Sequence, residues 1–282
     1  MNRYLYIIVA VLATLLSANP LHAAKIDTLW IKSRALQRDV RCMVLLPENK
    51  DASANGSRFA MVYLLHGYGG NADTYLKRFP DLELMCDYLD MVLICPDGFS
   101  SWYIDSPADP TSQYETFFTE ELVPKIDQDY PTDPEQRFAT GFSMGGHGAF
   151  YLALRHPDLF RAAGSMSGGM TLRPFADKWD LRKILGKPQT NPDAWTANSI
   201  LHIATKVNAK TLPHLIFDCG QSDFFAAAND RLHTLLQSRH LPHIYHSRPG
   251  EHTYPYWRES LKIHLEYFAL LANEVSPKDA QK

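Results

Sequence analysis

From residue 59 onward the chain alternates short, almost unbroken apolar runs with longer stretches whose apolar positions recur at helical spacing. The runs at 60–65, 91–95, 138–142, 162–167, 214–218 and 243–247 read as strands. Strands of a parallel sheet covered on both faces lose the polar alternation of a half-exposed strand, which is the pattern seen here. Between them the spacing predicts helices over 73–77, 82–89, 112–129, 145–155, 226–239 and 256–273. Two earlier strands, 27–32 and 40–46, follow one another with no helix between. The pattern implies an α/β fold: a mostly parallel central sheet of about eight strands, an antiparallel edge, and helices on both faces. Only 170–210 breaks the alternation, with Trp179, Pro188, Pro192 and Trp195. It reads as an insertion, long and aromatic enough to form a lid or the wall of a binding pocket, with Trp179 and Trp195 as its wall residues.

The candidate chemistry begins at Gly141-Phe142-Ser143-Met144-Gly145-Gly146, between the strand ending near 142 and the helix starting near 145. A strand that turns sharply into a helix holds the central serine in a strained conformation, and side chains at the flanking positions would collide with neighbouring backbone. Glycines at 141 and 145 remove that collision, so Ser143 is the candidate nucleophile. The Met144 amide opens the helix and can face negative charge developing on an acyl carbonyl. His66-Gly67-Tyr68-Gly69-Gly70 follows an earlier strand and can supply a second donor, the Tyr68 amide. The base and its orienting acid should follow the serine in the order Ser, Asp, His. Asp223 lies in the loop beyond the strand at 214–218, and His252 in the loop beyond the strand at 243–247. Asp218 is the competing acid, at the strand end itself. His66 precedes the nucleophile and reads as a brace for its turn, and His147 as a packing residue on the following helix.

Together, His66-Gly67-Tyr68-Gly69-Gly70, Gly141-Phe142-Ser143-Met144-Gly145-Gly146, Cys219-Gly220 with Asp223-Phe224-Phe225, and Gly250-Glu251-His252 followed by Trp257 resemble the putative-esterase family of α/β-hydrolases. That family includes esterase D (S-formylglutathione hydrolase), feruloyl and acetylxylan esterases and the antigen 85 mycolyltransferases. The resemblance implies the α/β-hydrolase fold and a serine carboxylesterase. Asp97-Gly98 with Ser101-Trp102-Tyr103 is similar to the carbohydrate-esterase and short-chain-esterase branch.

Charge and composition narrow the partners. A formal net charge of −3 without a dense basic run excludes a nucleic-acid partner. His240, His243 and His246 could be taken for a metal cluster, but their spacing straddles a helix end and a strand, so no metal is expected. No organic cofactor is needed for acyl transfer through serine. Cys42, Cys86, Cys95 and Cys219 have no C-x-x-C spacing and read as buried small hydrophobes. At the start, Asn2-Arg3 precedes an apolar run over 4–16, and Leu21-His22-Ala23 offers a small residue for cleavage. This reads as a secretory signal peptide over 1–23, followed by one catalytic domain over 24–282 that works in the periplasm or outside the cell. The run is shorter than the ~20 residues of a spanning helix, so no stable membrane association is expected after cleavage.

The substrate is then expected to be a small-molecule or carbohydrate ester carrying a short acyl, acetyl or feruloyl group. Trp102, Tyr103, Phe224 and Tyr254 flank the motifs and are the candidate substrate-binding rings. An acyltransferase resembling antigen 85, a thioesterase resembling S-formylglutathione hydrolase and a non-catalytic carbohydrate-binding module are the alternatives. Export counts against glutathione chemistry, which belongs to the reducing cytosol.

Overall fold

The computed structural model describes residues 24–48, 56 and 58–274. The expected signal peptide over 1–23 lies outside the described residues. Among them, eight strands form one sheet: β1 (Lys25–Ser33), β2 (Arg38–Leu46), β3 (Phe59–Leu65), β4 (Met91–Pro96), β5 (Thr132–Gly141), β6 (Ala162–Met166), β7 (His214–Gly220) and β8 (Ile244–Arg248). Their order is β1-β2-β4-β3-β5-β6-β7-β8. β1 and β2 pair antiparallel, β2 meets β4 antiparallel, and every later pairing is parallel. This is the doubly covered α/β architecture of the α/β-hydrolases.

The helices follow from the sheet's two apolar faces. α1 (Thr74–Arg78), α2 (Leu82–Leu89) and the final helix pack on one face; α3 (Tyr114–Phe117), α4 (Val123–Asp129), α5 (Met144–Arg155) and α9 (Ala226–Ser238) pack on the other. Between them the insertion folds as a 3₁₀ turn (Arg173–Phe175) and three short helices, α6 (Leu181–Leu185), α7 (Pro192–Ala197) and α8 (Ile200–Ala204). The final helix, α10 (Tyr254–Asn273), carries Trp257, Leu261, Leu265 and Phe268 on one buried stripe. Each buried side chain of this size contributes about 1.5–3 kcal/mol, which seats α10 firmly behind β5, β6 and β7.

Three elements depart from the expected pattern. β5 begins six residues earlier than predicted, because its first half, Thr132 to Arg137, is mostly polar and joins β3 through Phe59↔Thr132 before a register shift. The helix expected over 112–129 contains a π turn, Phe118–Leu122, followed by Pro124. Proline has no N–H and its ring crowds the carbonyl four residues back, so widening the turn removes the clash. The helices of the insertion were not expected at all. The four cysteines are buried and free.

Glu115 ties α3 to the far end of α5. Its carboxylate accepts from the Tyr151 hydroxyl at 2.8 Å and from Arg155 Nε at 2.7 Å, and His156 Nε2 lies 2.6 Å away. Burial would raise its pKa, but the bonds from His156, Arg155 and Tyr151 outweigh burial and hold it at about 2. A carboxyl held down in the folded state stabilises the fold above the ordinary carboxylate range, and that contribution is lost as pH falls through that range toward 2. Glu115→Gln should therefore lower stability at neutral pH by about 1–3 kcal/mol. Thermal melts of both proteins between pH 7 and pH 2.5 should show the gap closing in acid.

Candidate active site

Ser143 stands between β5 and α5 with φ 57° and ψ −118°. L side chains avoid this region at a cost of about 1–3 kcal/mol, so surrounding bonds must enforce it. The Phe142 amide donates to Leu65 O, the Ser143 amide to Met166 O at 2.9 Å, and the Gly145 amide to Phe142 O at 2.8 Å. β3 and β6 thus grip the turn from both sides. A Cβ at Gly145 would lie 1.9 Å from Leu65 O, and one at Gly141 would lie 2.5 Å from the same atom. Only glycine at both positions lets helix and strands approach this closely.

The loops leaving β7 and β8 bring Asp223 and His252 to the serine. Ser143 Oγ lies 2.8 Å from His252 Nε2, and His252 Nδ1 lies 2.8 Å from Asp223 Oδ2. In the neutral imidazole these contacts place the proton on Nδ1, donated to the carboxylate, and leave Nε2 to accept from the hydroxyl. The other carboxylate oxygen of Asp223 accepts from the Phe225 amide at 2.8 Å, so both oxygens are fixed. The Asp223 side chain is fully buried, while that of His252 retains 17% exposure, enough to face a substrate. Phe224 lies 4.2 Å from the imidazole, centroid to centroid, and Trp257 meets it edge-on at 4.8 Å. These rings limit the tilt of the imidazole.

Gly67 lies against Ser143: a Cβ there would be 3.3 Å from Ser143 Cβ and 2.7 Å from the Phe142 ring. Tyr68 is therefore next to the residue that abuts Ser143. Among the described residues, neither the Tyr68 amide nor the Met144 amide donates to a backbone carbonyl outside regular structure. His66 braces this turn. Its Nδ1 lies 2.8 Å from Gly67 O, and its Nε2 accepts from the Gly98 amide at 2.8 Å.

Asp218 does different work from Asp223. It accepts from Ser260 Oγ at 2.6 Å and lies 3.0 Å from His264 Nε2, whose Nδ1 is 2.8 Å from Thr140 Oγ1. This buried polar cluster fastens α10 to β5 and β7. His147 is buried beside the start of the insertion, with Nδ1 2.9 Å from Gly169 O; burial lowers its pKa to about 4 and keeps it neutral. His243 pairs with His233 at 2.8 Å, and among the described residues no group of three or more candidate ligands could hold a metal ion.

The candidate binding rings divide. Phe224 is 50% exposed beside His252, and Tyr254 is partly buried among Phe142, Trp257 and the Arg78 cation. Trp102 and Tyr103 require correction, because both are buried. Trp102 donates to Trp179 O at 3.1 Å, and the Tyr103 hydroxyl donates to His66 O at 2.9 Å. Both have φ above 50°, which turns the chain inward after β4 and buries their rings. Trp195 also requires correction: it is buried, donates to Gly186 O at 3.1 Å, and anchors the insertion. Trp179 stacks on Phe224 at 5.6 Å, and Phe175, which the sequence pattern did not single out, contacts Trp179, Phe224 and Phe225. No local signal marks the rings that meet Phe224, since Trp179 lies 45 residues from it and Phe175 lies 49.

A serine, an imidazole and a carboxylate linked in this order at the strand ends of a parallel sheet define an α/β-hydrolase of the serine type. The chain belongs to the family described as Putative esterase, which matches residues 33–268, and it is a carboxylic ester hydrolase. Acetyl esterase of Caldicellulosiruptor saccharolyticus is 22% identical over 268 residues, covering 86% of this chain and 97% of that one. In fold the chain is similar to the Staphylococcus aureus fluorophosphonate-binding serine hydrolase F (TM-score 0.78, 21% identity, 88% of this chain and 99% of that one). It is also similar to a ferulic acid esterase (TM-score 0.74, 24% identity, 88% and 99%).

The two aspartates are separable by experiment. Asp223→Asn should leave the melting temperature nearly unchanged and lower kcat on the order of 10⁴-fold by disfavouring the required imidazole tautomer. Asp218→Asn should do the reverse, lowering the melting temperature and sparing kcat. Steady-state kinetics beside thermal melts check both, and the opposite pattern would make Asp218 the orienting acid.

Proposed function

We propose that this carboxylesterase acts on short acyl esters of carbohydrates, acetyl or feruloyl, with Ser143 as nucleophile, His252 as base and Asp223 as the acid that orients it. The observation that carries the reading is the continuous hydrogen-bonded chain from Ser143 Oγ through His252 to Asp223. A serine hydroxyl is a weak nucleophile at neutral pH, so its proton must pass to His252 Nε2 as Oγ attacks the ester carbonyl. The carboxylate of Asp223 stabilises the imidazolium that results. The amides of Met144 and Tyr68 would hold the tetrahedral oxyanion, where a donor is worth about 2.7–4 kcal/mol. His252 then returns the proton to the leaving alcohol; in the second half-reaction it takes a proton from the water that attacks the acyl carbonyl and passes it to Ser143 Oγ as the acid leaves.

The acyl preference rests on the rings beside His252. Phe224, Trp179 and Phe175 form a partly exposed aromatic wall suited to an apolar or flat acyl group. The names of two similar proteins, an acetyl esterase and a ferulic acid esterase, point to the same two acyl classes. The sequence pattern expected of a signal peptide over 1–23 is consistent with action in the periplasm or outside the cell, where polymeric carbohydrate esters are met.

Ser143→Ala should fold normally and lose about 10⁴-fold or more of kcat on 4-nitrophenyl acetate. Retention of a tenth of wild-type turnover would refute the nucleophile. The wall is tested with acetyl, butyryl and feruloyl esters. Trp179→Ala should reduce kcat/KM for the feruloyl or butyryl ester more than for acetyl, by about 1–3 kcal/mol of discrimination. Trp195→Ala should instead depress all esters alike and lower the melting temperature.

A further inference from the structure

The turn that carries Tyr68 is closed at its base by backbone. The Gly70 amide donates to Gly67 O at 3.0 Å, and Gly69 takes φ 77°, which leaves Tyr68 at the tip with 40% exposure. Because Gly67 abuts Ser143, a tilt of this tip moves the Tyr68 amide relative to Ser143 Oγ. The tip is reached from the insertion: the Tyr68 hydroxyl donates to Asp180 Oδ2 at 2.9 Å. The Ser100 side chain is its other polar neighbour. Lys183 Nζ lies 2.6 Å from Asp180 Oδ1, and Lys183 first, then Tyr68, hold the Asp180 carboxyl below the usual range. The Tyr68 hydroxyl therefore meets an ionised acceptor.

Asp180 is itself held by an unusual stretch of backbone. Trp179 and Asp180 are consecutive, with φ 52° and 59°. A short polar side chain tolerates the left-handed region, but a tryptophan there must be enforced by its surroundings. Trp179 O accepts from Trp102 Nε1 at 3.1 Å, and the Trp179 ring stacks on Phe224, which lies 4.2 Å from the His252 imidazole. Just beyond, α6 is anchored independently by buried Leu181 and Leu185 and by Ser106 Oγ, which donates to Ile184 O at 2.7 Å. Two adjacent side chains thus reach the two halves of the site, one the ring beside His252 and the other the turn beside Ser143.

We propose that Asp180 is a positioning residue for ester hydrolysis: through the Tyr68 hydroxyl it holds the tip of the turn so that the Tyr68 amide stays aimed at the oxyanion. The proposal rests on the reading of Ser143 as nucleophile and of the Tyr68 amide as an oxyanion donor. Such an amide acts on the tetrahedral adduct far more than on the bound ester, so misaiming it should lower kcat and leave KM nearly unchanged.

The test uses 4-nitrophenyl acetate with Asp180→Ala, Asp180→Asn, Tyr68→Phe and the double variant Asp180→Ala with Tyr68→Phe. Asp180→Ala and Tyr68→Phe should each lower kcat about 10-fold, with KM within about twofold and the melting temperature unchanged, and the double variant should lose no more than either alone. Asp180→Asn keeps an oxygen that can accept from the Tyr68 hydroxyl and should recover most of the loss. Methylboronic acid gives a second readout: Ser143 Oγ adds to its boron as the hydroxyl proton passes to His252, and a boronate oxygen takes the oxyanion position. Its inhibition constant should rise about 10-fold in Asp180→Ala and in Tyr68→Phe. An unchanged kcat in Asp180→Ala, a loss confined to KM, additive losses in the double variant, or an asparagine variant as slow as the alanine one would overturn the role of Asp180. A wild type that hydrolyses the ester but resists the boronate would overturn the oxyanion reading, and the proposal with it.

Discussion

The carbonyl of Leu65 occupies the space where a side chain at Gly145 would begin, and this contact brings α5 down onto the end of β3. From it follow the positive φ of Ser143 and the approach of the Gly67 turn to the serine. The strain at Ser143 costs about 1–3 kcal/mol. It persists because backbone bonds to β3 and β6 leave the turn no relaxed alternative. In the proposed reaction, a hydroxyl held this way would need little reorganisation to reach the ester carbonyl.

Buried polar groups hold the rest of the site at a distance from the reacting atoms. Glu115 fixes the C-terminal end of α5, Asp218 with Ser260 and His264 fixes α10, and His66 fixes the turn before Tyr68. Glu115 and Asp218 both accept hydrogen bonds, because a buried carboxylate without them would cost several kcal/mol. The two aspartates at the end of β7 illustrate the division of labour. One faces the helix behind the sheet and the other faces the imidazole.

Most of the fold was legible because the central strands are covered on both faces and so appear as plain apolar runs. β5 was only half legible: Asp133, Pro134 and Glu135 look like a turn, yet the segment extends the strand by a bridge to Phe59. The π turn depends on the crowding of Pro124 against a helix that the apolar pattern makes continuous. The elbow, and the order of Asp223 and His252 after it, could be read from glycine spacing and strand ends. Ring burial could not. Trp102 and Tyr103 are turned inward by backbone conformation, and Trp179 and Trp195 look alike in sequence although one stacks on Phe224 and the other is sealed in the core. The bond from Tyr68 to Asp180 joins residues 112 positions apart and has no local signature.

The central claim is that His252, held by Asp223, activates a single strained serine. Labelling with a fluorophosphonate, followed by peptide mass spectrometry, tests it most directly. The reagent should add one equivalent, found on the peptide carrying Ser143, and the rate should fall as pH is lowered and in His252→Ala. Labelling of another residue, or undiminished labelling of Ser143 in His252→Ala, would contradict the account.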